Sequence, residues 1–187
     1  IRDRAVALAE DAGYDDMEYY DYLAAIDVMD EAEVAEKLSQ LHVAERSPEV
    51  TAADLYLNLK TPFAYNYIDE DLDVTHDNDG ASEHGSHVAG ISVANRLVKS
   101  GDDYVSAVDT VGVVGNAPDA QIIVMKVFGK AGGAYDSDYM AAIEDAIILG
   151  FDSVNLSLGS AAAGMTTNST YQDILVGLVN TDTVVFM

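Results

Sequence analysis

The sequence predicts an α/β fold, a parallel sheet flanked by helices, with an acidic N-terminal helical insert. Two observations predict this. Along residues 61–187, apolar runs of strand length alternate with amphipathic segments of helix length, and continuous apolar strands are typical of a parallel sheet covered on both faces. Residues 1–60 show helical apolar spacing instead, with 15 acidic and 5 basic residues. We therefore expect an acidic helical insert over 1–60 and an α/β part over 61–187.

The elements of the insert are predicted from spacing and capping signals. Apolar side chains at helical spacing predict a helix over 15–29. Asp30 followed by Glu33 resembles a helix cap with its partner three residues on. Ser47 followed by Pro48 predicts a further helix with Leu55 and Leu59 on one face. We expect a solvated acidic surface here, and a partner-binding arm is the alternative.

The α/β part is predicted from a change in the spacing of apolar residues along the sequence. Alternation over 63–67 predicts a strand, and a helix is expected from near Gly85 to about Lys99. Apolar strands are expected at 121–128 and 152–158 and a buried strand at 183–187, with helices at 136–149 and 170–179. The first of these helices is expected to have one apolar side with Met140, Ile143 and Ile147. Strands that alternate with helices in this way predict βαβ units, and therefore parallel pairing.

Composition excludes several classes of function. The 187 residues include 33 acidic and 9 basic ones, giving a net charge of −24, which repels phosphate backbones and anionic lipid. We therefore expect no nucleic-acid partner. The absence of cysteine excludes disulfides, thiolate zinc sites and cysteine nucleophiles. No apolar run reaches the roughly 18 residues that span a bilayer, so no membrane insertion is expected. The chain begins at Ile1 and stops in a strand-like run, and we expect a piece of a larger protein.

The strongest chemical signal is a histidine at the predicted start of a helix, in the run EHGSHVAGI over 83–91. The helix dipole disfavours the protonated form of an imidazole placed there, so His84 could act as a base near pH 7. From the residues alone, a capped structural histidine is the alternative. His87 is expected to be a buried, hydrogen-bonded core histidine.

The run HGSHVAGI resembles the histidine motif of the subtilisin-like serine proteases. Three further segments resemble this family in the same order: VVGNAPDA over 113–120, QIIVMKVF over 121–128 and SVNLSLGS over 153–160. The Tyr-Asn-Tyr run over 65–67 and the acidic approach to the histidine are similar to the cell-envelope proteinases of Gram-positive bacteria, the lactocepin and C5a-peptidase type. The resemblance covers about residues 62–187 and implies part of a subtilisin-like fold.

The resemblance implies a serine endopeptidase that cleaves a polypeptide substrate by acyl transfer, with His84 as general base. It implies no cofactor for the chemistry, and a secreted or cell-wall-attached location in a Gram-positive bacterium. One side of the cleft would pair with the substrate backbone, and the other side would also form the pocket for the residue before the cut. The implied substrate-binding residues are Gly132, Gly133 and Ala134 on the first side, with Tyr135 bordering a more distant pocket, and Ser157, Leu158 and Gly159 on the second.

The sequence departs from the family pattern at three places. It contains no Asp-Ser/Thr-Gly, no Gly-Thr-Ser and no Ala-Gly-Asn segment, so the catalytic aspartate, the nucleophile and the oxyanion asparagine have no counterpart. Ser157 lies in a different motif. Because triad residues act as a unit, we expect this chain to be inactive alone and to need the remaining parts of the catalytic domain. The alternative is a non-catalytic acidic interaction or adhesion module from a degenerate relative.

The acidic loop over 69–83 is a second candidate site. Calcium takes six to eight oxygen ligands, so a structural calcium ion is one hypothesis and a solvated loop is the alternative. The weak ligand candidates are Asp69, Asp71, Asp73, Asp77 and Asp79. A metal-hydrolase site formed by His84 and His87 with Glu83 or His76 is disfavoured, because the sequence has no His-Glu-x-x-His motif.

Overall fold

The computed structural model describes residues 28–77, 83–101, 103–130, 132–159, 172–174, 176–177, 181 and 183–186. Its helices are α1 (Glu31–Lys37), α2 (His42–Arg46), α3 (Ala52–Leu55), α4 (His84–Val93), α5 (Ala107–Val111) and α6 (Asp136–Leu149). Its strands are β1 (Phe63–Asn66), β2 (Leu97–Ser100), β3 (Asp103–Ser106), β4 (Ile123–Lys126), β5 (Ser153–Asn155) and β6 (Val184–Phe186). β1 pairs with β4 and β5 with β6, both in parallel, whereas β2 and β3 are antiparallel. The predicted α/β class is confirmed.

The first helix begins at the predicted cap. Asp30 Oδ1 accepts hydrogen bonds from the amides of Ala32 and Glu33 at 2.7 and 3.1 Å, and the Glu33 carboxylate accepts from the Asp30 amide at 3.1 Å. This reciprocal pattern satisfies amides that a helix start leaves without partners. The predicted helix over 15–29 lies almost wholly outside the described residues.

The helix predicted to begin at Pro48 is wrong. The chain turns at 48–49, and α3 begins only after Thr51, whose amide and hydroxyl donate to Asp54 Oδ2 at 2.8 and 2.6 Å. The Ser47 hydroxyl lies 2.7 Å from the phenolic oxygen of Tyr65. This contact holds the chain at Ser47 against β1. The helix begins only where Thr51 and Asp54 form a capping pair. α3 then ends at Leu55, well short of Leu59.

β1 is the centre of the main core. It pairs in parallel with β4, with Phe63 opposite Ile123 and Asn66 opposite Lys126. The predicted strand is confirmed, and all residues of β1 are buried. The reason is that helices from both sides of it in sequence join one cluster, whose members include Val34, Leu41, Leu55, Phe63, Tyr65, Tyr67, Ala142 and Leu149. Residues 28–60 therefore supply core to β1 and α6, and the boundary at residue 60 stays a prediction.

The region after His84 differs most from its prediction. α4 ends at Val93, and an antiparallel hairpin occupies 97–106, so the predicted helix to Lys99 is wrong beyond Val93. Ala94 already has an extended ψ of 136°, and Gly101 has a φ of +67° at the hairpin turn, a conformation that favours glycine. The Gly-Asp pair at 101–102 between two apolar runs is a turn signal that could have predicted the hairpin.

The C-terminal helices and strands agree better with their predictions. α6 has the predicted bounds, and the predicted apolar side with Met140, Ile143 and Ile147 packs against Leu156, Ile174 and Val185. The strands at 123–126 and 153–155 are shorter than predicted. β6 is present, but 58% of Phe186 is exposed, so the prediction of a buried strand is wrong there. In the described part of the predicted helix over 170–179, residues 172–174 and 176–177 are helical. No helix among the described residues is long and apolar enough to cross a bilayer.

Candidate functional site

His84 is the first residue of α4 and is exposed. The helix begins without a side-chain cap from Glu83, and the amide of His87 bonds to the Glu83 carbonyl oxygen at 3.0 Å. A Cβ placed on Gly85 would meet no atom within 4 Å. There is therefore free space beside the backbone next to His84. An exposed imidazole at a helix start is accessible to a substrate, which a general base requires.

His87 is exposed as well, so the prediction of a buried core histidine is wrong. The physical reason is that α4 buries none of its ten residues. The helix lies on the surface of the described part of the chain, and a residue one turn from His84 therefore meets solvent.

α4 is held at its C-terminal end by the turn over 113–117. The amides of Gly115 and Ala117 donate to the carbonyl oxygens of Ala94 and Ser92 at 2.9 and 2.8 Å. Gly115 lies so close that a Cβ there would be 2.6 Å from the Val93 carbonyl carbon and closer still to the Ala94 amide nitrogen. Only glycine permits so close an approach of two backbone segments. This contact positions the helix that carries His84.

The predicted substrate-binding segment before α6 begins with a turn. Gly132 has a φ of +73°, and its amide donates to the Gly129 carbonyl at 2.8 Å. Gly132 is therefore not extended, whereas Tyr135 is, with a φ of −107° and a ψ of 145°. Gly132, Gly133 and Tyr135 are exposed, and Ala134 is half-buried. The role of this segment in substrate binding stays a prediction.

The second predicted segment follows β5. Leu158 is half-buried against the main core, while Ser157 and Gly159 are exposed. The Ser157 hydroxyl accepts a hydrogen bond from the Asn155 amide group at 2.8 Å. Leu158 thus anchors the segment and leaves its neighbours accessible. Among the described residues, no hydrogen bond or ion pair joins His84 to either predicted substrate-binding segment.

The side-chain amide of Asn66 holds part of the acidic loop through hydrogen bonds. Asn66, only 1% exposed, donates through Nδ2 to Asp71 Oδ1 at 2.9 Å and to Asp69 Oδ2 at 3.2 Å. These carboxylates therefore point at a donor within the protein. Within the described ranges, no group of three or more His, Asp or Glu side chains could hold a metal ion, and Asp79 lies outside them. Calcium binding by the acidic loop, with Asp73 and Asp77 among the weak ligand candidates, stays a prediction. Calorimetric titration with calcium against a metal-free sample would test the prediction, and no heat at millimolar calcium would contradict it.

A buried polar junction between α2, β1 and α6 was missed by the sequence reasoning. Asp145 is fully buried; its Oδ1 accepts from the His42 amide and its Oδ2 from the Tyr67 hydroxyl, both at 2.8 Å. Burial raises the pKa of the Asp145 carboxyl, and the hydrogen bonds from the His42 amide and Tyr67 oppose it. Burial and the charge of Asp145 raise the pKa of the Tyr67 phenol. The available signal was that Asp145 shares a helix face with Ala141, Ala142 and Leu149, where a buried carboxylate is costly unless it has partners.

Comparison with protein-family models gives a decisive match. The model described as the subtilase family, Peptidase_S8, matches residues 43–183, about three quarters of the chain. The chain belongs to the subtilase family. His84, both predicted substrate-binding segments and the junction residues Tyr67 and Asp145 all lie within the matched range.

Individual subtilases are similar to this chain over part of their length. The PI-type proteinase of Lactococcus lactis subsp. cremoris is 40% identical over 114 residues, which is 59% of this chain and 6% of that protein. The minor extracellular protease Vpr of Bacillus subtilis (strain 168) is 28% identical over 167 residues, 86% of this chain and 19% of that protein. A C5a peptidase of Streptococcus pyogenes is 37% identical over 81 residues, 43% of this chain and 6% of that protein. The predicted resemblance is confirmed, and the chain spans only a small part of each relative.

Proposed function

We propose that the protein to which this chain belongs is a serine endopeptidase in which His84 is the general base. The observation that carries the proposal is the subtilase match over 43–183, with an exposed imidazole at the start of a helix within it. Relatives named as proteinases and as a C5a peptidase support it. The alternative, a non-catalytic acidic interaction module, is favoured by the net charge of −24 and by the three absent motifs.

In this proposal His84 takes the proton from a serine hydroxyl as the serine attacks the scissile carbonyl, and returns it to the leaving amine. The serine, the aspartate and the oxyanion donor come from parts of the catalytic domain beyond this chain. The substrate is a polypeptide whose backbone lies along 132–134 and 157–159, and the exposed Gly133 and Ser157 leave room for it. Secretion or attachment to a Gram-positive cell wall is part of the proposal, supported by the similarity to Vpr, a minor extracellular protease of Bacillus subtilis.

Labelling with a serine-directed fluorophosphonate tests the proposal. The isolated 187-residue chain should form no adduct, because it lacks the nucleophile. The protein that contains the whole catalytic domain should form one adduct per molecule and lose most of the labelling rate in a His84→Ala variant. His87→Ala is the matched control, since His87 lies on the same exposed helix, and it should label as the wild type does. An adduct on the isolated chain, or none on the larger protein, would overturn the proposal, and the second result would favour the non-catalytic module.

A further inference from the structure

Arg46, the last residue of α2, makes polar contacts with two other parts of the chain. Its Nη1 donates to the Tyr67 carbonyl oxygen and to Asp138 Oδ1, both at 2.8 Å, and its Nη2 donates to the Ser137 carbonyl oxygen at 3.2 Å. The guanidinium carbon lies 6.0 Å from the centre of the Tyr67 ring, within the range of a cation–π contact. One side chain thus joins α2, the end of β1 and the start of α6.

The Arg46–Asp138 pair is shielded from solvent. The side chains of Arg46 and Asp138 are 18% and 10% exposed, so salt and water screen the pair less than a surface ion pair. Glu70 adds a second carboxylate at 3.8 Å. A charge-assisted pair in this setting fixes geometry as well as adding energy.

The contacts of Arg46 on α6 lie directly beside the predicted substrate-binding segment. Ser137 and Asp138 are in the first turn of α6, and the Asp138 amide bonds to the Tyr135 carbonyl at 3.0 Å. Tyr135 follows Ala134, the last residue of that segment. The segment is turned by two backbone hydrogen bonds with Gly129, from the Gly132 amide and to the Gly133 carbonyl, and both of these glycines are exposed. Its position therefore depends on where the first turn of α6 is held.

The residue type matters at this position. A planar guanidinium can donate to two carbonyl oxygens and a carboxylate at once, whereas a lysine ammonium is a point charge on a flexible stem. Lysine at position 46 could keep the pair with Asp138 but could not reproduce all three hydrogen bonds. A lysine variant therefore separates the effect of the positive charge from the effect of the three guanidinium hydrogen bonds.

We propose that Arg46 is a positioning residue for substrate binding: it clamps the first turn of α6 to the end of β1 and so fixes the segment 132–134 against which a polypeptide substrate pairs. This inference rests on the proposed endopeptidase function. Arg46 touches no reacting atom. Its role is to hold the α6 side of the cleft from a helix that lies in the acidic N-terminal part of the chain.

Hydrogen exchange on the 187-residue chain tests the clamp without any need for activity. In Arg46→Met, amides over 132–139 should exchange several-fold faster than in the wild type, and Arg46→Lys should be intermediate. Arg96→Met is the matched control, because it removes another arginine–aspartate pair, Arg96 with Asp119 at 2.8 Å, that is half exposed and remote from α6 in sequence. It should leave 132–139 unchanged. Unchanged exchange in Arg46→Met, or an equal rise throughout the chain, would overturn the clamp.

Kinetics on the protein that contains the whole catalytic domain test the consequence for substrate. With an extended peptide, Arg46→Met should lower kcat/KM about tenfold, mainly through KM, because small displacements of positioning elements have effects of this size or larger. A single-residue ester, which does not reach 132–134, should be cleaved within twofold of the wild-type rate. Equal losses on both substrates would overturn the positioning role. A wild type inactive on both would overturn the proposed function and with it the substrate role of Arg46, whatever the exchange result.

Discussion

Two regions of the chain differ in how they are held. In the junction of α2, β1 and α6, buried aromatic rings, a buried carboxylate and an arginine satisfy one another, and Asp145 and Tyr67 are both fully buried. In the region from His84 to Ala117, α4 buries no residue and is tied to its neighbours through backbone hydrogen bonds at its C-terminal end. The comparison teaches that residues 28–60 contribute side chains to the main core, whereas His84 lies on a helix that the described residues leave unburied.

The largest effect is expected from Asp145→Ala. The substitution leaves the His42 amide and the Tyr67 hydroxyl without their buried acceptor, and each such group costs about 1–3 kcal/mol. We therefore expect the free energy of unfolding, measured in urea, to fall by about 3 kcal/mol or more. Glu144→Ala is the matched control on the same helix; its carboxylate bonds to the His42 ring at 2.6 Å but is 42% exposed, so the loss should stay below about 1 kcal/mol. Equal losses in the two variants would show that the buried contacts of Asp145 stabilise the junction no more than an exposed pair does.

Gly115→Ala tests the other region. Its Cβ would overlap the backbone of Val93 and Ala94, and overpacking of this kind costs about 1–3 kcal/mol. Because the overlap falls on the end of α4, we expect faster hydrogen exchange over 84–93 and little change over 136–149.

The control for Gly115→Ala is Gly90→Ala, inside α4, where a Cβ meets no atom within 4 Å. That variant should slow exchange in the helix, since alanine in place of a helical glycine stabilises by about 0.5–1 kcal/mol. If Gly115→Ala disturbed α6 as strongly as α4, the two regions would be one cooperative unit and the comparison would fail.

Asn66→Asp probes the loop that connects the regions. The new carboxylate would replace the amide that donates to Asp69 and Asp71 and would face both of them with like charge. We expect the free energy of unfolding to fall by about 2 kcal/mol. Asn58→Asp changes the net charge equally, but its side chain is exposed and acts only as an acceptor, for the Thr61 amide at 2.9 Å, so it should be nearly neutral. A loss in both variants would assign the effect to net charge alone.

Sequence reasoning succeeded where a single segment determines the outcome. The capping pair at Asp30 and Glu33 and the amphipathic pattern of α6 are local signals, and both elements appear where they were predicted. The histidine at the start of α4 was found because its motif is contiguous. The family followed from motifs that keep their order along the chain, and the match over 43–183 confirms it.

The errors arose where distant segments decide the structure. The strand at 63–66 was predicted from its alternation, but its complete burial was not, because that burial comes from helices within residues 31–55 and 136–149. The burial of His87 was inferred from its place in a helix, and it fails because α4 has no partner among the described residues that buries a face. Arg46 and Asp145 are 99 positions apart in sequence, and both contact Tyr67. No local pattern could show that the two residues belong to one junction.

The smallest effect is expected in the pH dependence of stability. Burial raises the pKa of Asp145 above its unfolded value of 3.8, so between these two values the folded state binds more protons than the unfolded state. By linkage, this group makes the folded state more stable as the pH falls through that window. In Asp145→Asn, the new side-chain amide could still accept from the His42 amide and donate to Tyr67, but it cannot titrate. We therefore expect wild type to gain stability relative to Asp145→Asn as the pH is lowered from 7 to about 4, with both chains also carrying His42→Gln so that Asp145 has no imidazole beside it. A constant difference, or one of opposite sign, would show that the carboxylate at the junction carries no burial cost.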